Sequence, residues 1–137
     1  MAHVFVSGGT GFLGARIIAR LLERGHTVAA VARPGSEHKL PRGTGVVTGD
    51  PLHEETFASY MPPADTFIHL VGITKPAPWK GAAFRAVDQV SLEQSLIAAK
   101  AFGIKHFVYV SVAHPAPVMR AYIEVRKECE RQIRLSG

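Results

Sequence analysis

A single cysteine, Cys129, among 137 residues leaves no partner for an internal disulfide, so this chain is not a disulfide-stapled scaffold. Its seven histidines are scattered, and no Cys/His cluster offers four ligands, so no metal is expected. No apolar run approaches the roughly 20 residues of a membrane span. The first such run, Val4 to Val6, breaks at once into Ser7-Gly8-Gly9 and has neither the basic region nor the apolar length of a signal peptide. Internal repeats and low-complexity tracts are also missing. These absences point to the reducing cytoplasm and away from a membrane.

What is present describes one folded domain over residues 1–137, with 47% apolar and 20% charged residues. The net charge of +5 raises the question of a polyanionic partner. The basic residues are dispersed except for Arg120, Arg126, Lys127, Arg131 and Arg134. These alternate with Glu124, Glu128 and Glu130, the pattern of a solvated helix face. No nucleic-acid partner is expected.

Apolar segments of two periodicities alternate along the chain. Ala2–Ser7, Thr27–Ala32, Val46–Thr48, Thr66–Val71 and His106–Ser111 read as short buried strands. Between them, Gly14, Ile17, Ile18, Leu21 and Leu22 recur at helical spacing, closed by Gly25. A weak helix is expected from His53 to Tyr60, ended by Met61-Pro62-Pro63. A longer stripe runs from Phe84 to Ala101, ended by Phe102-Gly103, and Tyr122, Val125, Cys129 and Ile133 mark a last helix. Near-continuous apolar strands separated by helices predict an α/β doubly wound parallel sheet, a Rossmann fold. Its five strands should lie in the order 3-2-1-4-5 with helices on both faces. Two irregular connections, Pro34 to Gly45 and the Pro-rich Lys75–Trp79, should then fall at the strand C-terminal edge.

The first strand runs into Ser7-Gly8-Gly9-Thr10-Gly11-Phe12-Leu13-Gly14. Two registers fit: Gly9, Gly11, Gly14 as GxGxxG, or Gly8, Gly11, Gly14 as GxxGxxG. Either places glycines where a turn must be tight and where backbone must approach a pyrophosphate. The following helix offers free amides and a partial positive charge to the phosphates. A glycine pattern lying between a strand and an amphipathic helix is the context that gives it meaning. Gly8, Thr10, Gly11, Phe12, Leu13 and Gly14 are therefore candidate cofactor-binding residues.

The most informative absence comes about 20 positions further on, where a carboxylate would clasp the ribose diol of NAD. That place reads Ala32-Arg33-Pro34-Gly35-Ser36. Arginine offers a planar fork of donors to a 2′-phosphate, so NADP(H) is the expected cofactor and NAD(H) the alternative. Lys39 is a second candidate for that phosphate, and a merely solvated Arg33 is the competing reading.

Gly8-Gly9-Thr10-Gly11-Phe12-Leu13-Gly14, Gly49-Asp50, His69-Leu70-Val71-Gly72 and Phe107-Val108-Tyr109-Val110-Ser111 resemble, in order, the motifs of the extended and atypical short-chain dehydrogenases. That superfamily includes NAD-dependent epimerase/dehydratase-like and NAD(P)H-binding proteins. The resemblance implies that Asp50 bonds the adenine amino group with Pro51 packing nearby, and that Val71, Gly72 and Ile73 line the adenine-side ribose. It further implies that Ser111 holds a substrate carbonyl or hydroxyl and that Tyr122 is the general acid/base. The family's lysine, one helical turn after the tyrosine, is here Arg126, with Lys127 out of phase by about 100° of helix rotation. Arginine can bind ribose hydroxyls and stabilise a tyrosinate, but it does not relay protons. A second departure is Asp88, where the family usually has asparagine. A core aromatic at Tyr122 and a capping serine at Ser111 are the plain alternatives.

The reading that follows is an NADP(H)-dependent oxidoreductase acting on an unnamed small molecule, or a non-catalytic dinucleotide-binding sensor or accessory subunit. The 3-2-1-4-5-6 order asks for a sixth strand after the last helix, so the chain is expected to lack its C-terminal substrate segment. The fifth strand, apolar from Phe107 to Val110, is expected to lie at an edge and to pair with another chain as a homo-oligomer.

Overall fold

In the computed structural model, which describes residues 1–71, 84–110 and 120–136, five parallel strands form the scaffold. They are β1 (His3–Ser7), β2 (Thr27–Ala32), β3 (Gly45–Thr48), β4 (Thr66–His69) and β5 (His106–Tyr109), ordered β3-β2-β1-β4-β5 as expected. Ala32 pairs with Thr48, Ser7 with His69 and His69 with Tyr109. The strand C-termini are thus nearly level, and the loops leaving them share one edge of the sheet.

Alternation along the strands divides the core between the two faces. Val4, Val6, Val28, Ala30 and Ile68 are buried against Ile17, Ile18, Leu21 and Leu22 of helix α1 (Phe12–Glu23). On the other face Phe5, Val31, Val47, Phe57 and Phe67 pack with Ala98 and Ala99 of α2 (Val90–Ala101). A third cluster of Leu92, Val125 and Cys129 seats α3 (Arg120–Ser136) against α2 and the side chains of Phe107 and Tyr109. Helices therefore cover both faces. Among the described residues no helix is long and apolar enough to cross a membrane.

Three local expectations change. Residues 53–60 form two 3-10 turns, Glu54–Thr56 and Ala58–Tyr60, rather than an α-helix. The Thr56 hydroxyl donates to the His53 carbonyl at 2.7 Å and accepts from the Asp50 amide at 2.8 Å. Such side-chain bonds compete with the helical ladder. The stripe from Phe84 opens as a π-helical turn, Phe84–Gln89, before becoming α2. Finally, β4 stops at His69 rather than Val71, and β5 at Tyr109 rather than Ser111. β1 leaves the sheet at Ser7 to enter the glycine turn, and beyond His69 the Leu70 amide still donates to the Ser7 carbonyl at 2.8 Å. The Lys75–Trp79 connection lies outside the described residues.

Candidate functional site

A cleft of about 470 Å³ opens at the C-terminal edge of the strands. Its near wall is the glycine turn. Gly8 has φ +83°, and a Cβ there would sit 2.5 Å from the Leu70 carbonyl carbon. A Cβ on Gly14 would run into the Gly8 carbonyl oxygen and lie 2.8 Å from Gly9 Cα. Both glycines are needed for α1 to start so close to β1 and β4. Gly11 differs, since its added Cβ would meet nothing nearer than the Gly8 oxygen at 3.5 Å. Its missing side chain leaves room in the cleft rather than in the protein. Gly9 instead turns toward Ile18, 2.6 Å from where its Cβ would be, and does not line the cleft. Of the two registers open in the sequence, the structure places Gly8, Gly11 and Gly14 at the cleft.

Thr10, Phe12 and Leu13 join them. Gly11 is the N-cap of α1 and supplies no side-chain cap, and the first turn holds no acidic residue. The amides and positive end of the helix therefore face the cleft without a protein anion. Phe12 is 76% exposed, and the Arg16 guanidinium lies 3.6 Å above its ring.

The far wall from this helix carries Arg33, Asp50, Pro51 and Leu52. Arg33 follows directly on β2, is exposed, and has no ion-pair partner among the described residues. Asp50 Oδ1 accepts the Leu52 amide at 2.9 Å, which fixes the turn that presents Pro51.

The floor is formed by His69, Leu70, Val71, Val87, Val110 and Arg126. His69 is 1% exposed, stacked on Tyr109 at 6.0 Å, and bonded through Nδ1 to Ser7 Oγ at 2.9 Å and Ser95 Oγ at 3.1 Å. Its Nε2 has no hydrogen-bond partner among the described residues. Burial foremost, and the nearby Arg126 charge second, pull its pKa from 6.5 to about 3. The folded protein thus holds it neutral while the unfolded chain protonates below pH 6.5. Stability should therefore be complete above pH 6.5 and fall as pH drops from there toward 3, by about 1.4 kcal/mol per pH unit from this group. Thermal unfolding between pH 7 and 4.5 measures that slope. A His69→Gln variant with an unchanged slope would assign it to other groups.

Arg126 is 8% exposed. Its Nη1 donates to Tyr109 Oη and to the Val110 carbonyl, each at 3.0 Å. Its Nη2 lies 3.3 Å from Asp88 Oδ2, and Asp88 is 1% exposed. Lys127 is exposed, in keeping with its phase on the helix. Burial raises the Tyr109 phenol's pKa, and Arg126 opposes this more weakly, so the phenol stays protonated.

Of the residues singled out from sequence, the structure brings together at one cleft Gly8, Thr10, Gly11, Phe12, Leu13, Gly14, Arg33, Asp50, Pro51, Val71 and Arg126. Gly72, Ile73 and Ser111 lie outside the described residues, and Tyr122 is described only as backbone within α3. Sequence reasoning missed Leu52, Val87 and the Ser7–His69–Ser95 cluster. It also treated Asp88 and Arg126 as separate departures, although their opposite charges were the available signal for a pair.

The comparisons with known proteins bear on this cleft. The NAD(P)H-binding family matches residues 8–137. A 3-beta-hydroxysteroid dehydrogenase of Mycolicibacterium neoaurum is 31% identical over 119 residues, covering 81% of this chain and 32% of that protein. UDP-glucose 4-epimerase of Thermotoga maritima, solved with UDP-glucose, superposes with a TM-score of 0.82 at 17% identity, over 98% of this chain and 50% of that one. The Bordetella bronchiseptica enzyme WbmH, solved with NAD+, gives 0.77 at 22% identity, over 100% and 53%. The chain thus spans about a third of that curated relative's length and about half of these structures. A parallel sheet in the order β3-β2-β1-β4-β5, a glycine turn lining the cleft at its C-terminal edge, and a family match that starts at Gly8 agree: the chain belongs to the NAD(P)H-binding family, with the Rossmann fold of the epimerase-like short-chain dehydrogenases.

Proposed function

We propose that this chain binds NADP(H) in preference to NAD(H) and serves an oxidoreductase of the short-chain type. The observation that carries the cofactor choice is Arg33: exposed at the end of β2, lining the cleft, and standing where a ribose-clasping carboxylate would otherwise be. A guanidinium there attracts a 2′-phosphate, and the carboxylate of Glu37, four residues on, is held by the Gly35 amide and the Thr48 hydroxyl. The relative named as a dehydrogenase supports the redox reading. When bound, the nicotinamide exchanges hydride at C4 with a carbonyl or alcohol carbon. In this reading Ser111 orients the substrate oxygen, and Tyr122 gives or takes its proton. Arg126 contributes a fixed positive charge and moves no proton.

Fluorescence titration of NADPH and NADH tests the cofactor reading. NADPH should bind at least about tenfold more tightly, the scale of a charge-assisted phosphate contact. Arg33→Asp should erase or reverse the preference, because it removes the phosphate partner and supplies a ribose acceptor. Equal affinities in the unmutated protein would sink the proposal. A second reading, a dinucleotide-binding protein without turnover, is favoured by one observation. Arg126 is committed to Asp88, Tyr109 and Val110 at the position where the family's lysine would serve the tyrosine. A carbonyl-substrate screen with bound NADPH separates the two.

A further inference from the structure

Arg33 and Glu37 are four residues apart, opposite in charge and both near the surface. A pair between them would be an exposed one, worth about 1 kcal/mol or less. Here they do not pair, and the local backbone explains why. The Ser36 amide donates to the Arg33 carbonyl at 2.9 Å, closing a turn with Pro34 and Gly35 at its centre. Gly35 has φ +87°, the left-handed conformation that the third position of a type II turn requires. The chain then doubles back. Glu37 Oε1 accepts the Gly35 amide at 2.7 Å, and Oε2 accepts the Thr48 hydroxyl at 3.2 Å. Thr48 ends β3 and is the register partner of Ala32, the residue before Arg33. The carboxylate therefore ties the turn to the sheet. Hydrogen bonds from its own backbone amide first, and then from Gly35, lower its pKa, so it is ionised and a strong acceptor at neutral pH.

We propose that Glu37 is a positioning residue for cofactor choice: by bridging the Gly35 amide and the Thr48 hydroxyl it fixes the Arg33 turn, and with both oxygens engaged it neither neutralises Arg33 nor clasps a ribose. The inference rests on the NADP(H) reading and adds a residue that acts through another. The geometry excludes the simplest competitor in this structure, a Glu37–Arg33 pair. It leaves a sharp alternative for experiment, because a carboxylate just beyond β2 is also the kind of group that accepts from the ribose diol of NAD.

Glu37→Ala, Glu37→Gln and Arg33→Ala are titrated with NADPH and with NADH, and exchange of the Gly35 amide is followed by NMR. Glu37→Ala should speed exchange at Gly35 and weaken NADPH about tenfold while NADH changes less than about twofold. Glu37→Gln, which can still accept from Gly35 and bond Thr48, should keep the affinity for NADPH. A Glu37→Ala variant with faster Gly35 exchange but normal NADPH affinity overturns the inference. So does a Glu37→Gln variant that loses NADH more than NADPH, the signature of a ribose clasp. The two levels separate through Arg33→Ala. Unaltered NADPH binding in that variant overturns the cofactor reading, and this inference with it. A clear loss there, beside an inert Glu37→Ala, overturns this inference alone.

Discussion

Gly14→Ala is expected to melt well below the unmutated protein, whereas Gly11→Val should keep its stability and fail to bind cofactor. The two glycines belong to one motif, yet their missing side chains serve different ends. At Gly14 a methyl group would collide with the Gly8 carbonyl oxygen and press on Gly9 Cα at 2.8 Å. Those are backbone atoms, and they cannot rotate aside. Relief requires lifting α1 away from the end of β1, which disturbs the packing of Ile18 at 0% exposure. Overpacking of this kind costs about 3 kcal/mol, a large share of the roughly 5–15 kcal/mol that holds a domain together. Gly11 has φ −79° and ψ 174°, open to any residue, and its nearest contact is at 3.5 Å. A side chain there points its Cβ into the cleft with no protein clash. Circular dichroism and thermal unfolding report the first effect, and NADPH titration the second. If Gly11→Val bound cofactor normally, the phosphates would have to lie elsewhere.

The second large effect belongs to the ion pair beneath the cleft. Arg126→Met should lower stability by roughly 3 kcal/mol or more, because it takes the cation away from a carboxylate that is 1% exposed. It also removes the bonds to Tyr109 and Val110 at the end of β5. For a chain of this size the melting temperature should fall by about 10 °C. Asp88→Asn in the same background should recover a good part of that loss, since an amide needs no counter-charge. The cycle of four proteins gives the coupling directly. Additive effects of the two substitutions would mean that Asp88 and Arg126 stabilise the fold independently.

That pair also shows where sequence reading stops. The strand order, the helices on both faces and the placement of the glycine turn were legible because they follow from periodicity and from short, right-handed connections. The position of Arg33 at the end of β2, on the cleft, was legible because it stands at a fixed distance past the turn. Residues 53–60 were not: apolar spacing suggested a helix, and the Thr56 hydroxyl, bonding to His53 and Asp50, decided otherwise. The buried pairing of Asp88 with Arg126 joins positions 38 residues apart on separate elements, and nothing local encodes it. Ser7 read as the end of a strand, and only the β1–β4 register sets it against His69.

The same register bears on how the chain reaches its fold. β1 hydrogen-bonds to β2 on one side and to β4 on the other. His3 pairs with Thr27, whereas Ser7 waits for His69, 62 residues later. Closing the longer loop costs only about 0.8 kcal/mol more in chain entropy than closing the shorter one, so equilibrium stability hardly registers the difference. Synthesis does. At roughly 5–20 residues per second, β4 is made about 3 to 12 s after β1. Through that interval Val4, Phe5 and Val6 belong to a strand with half its ladder unmade, and the β1–α1–β2 unit must shelter them while translation catches up.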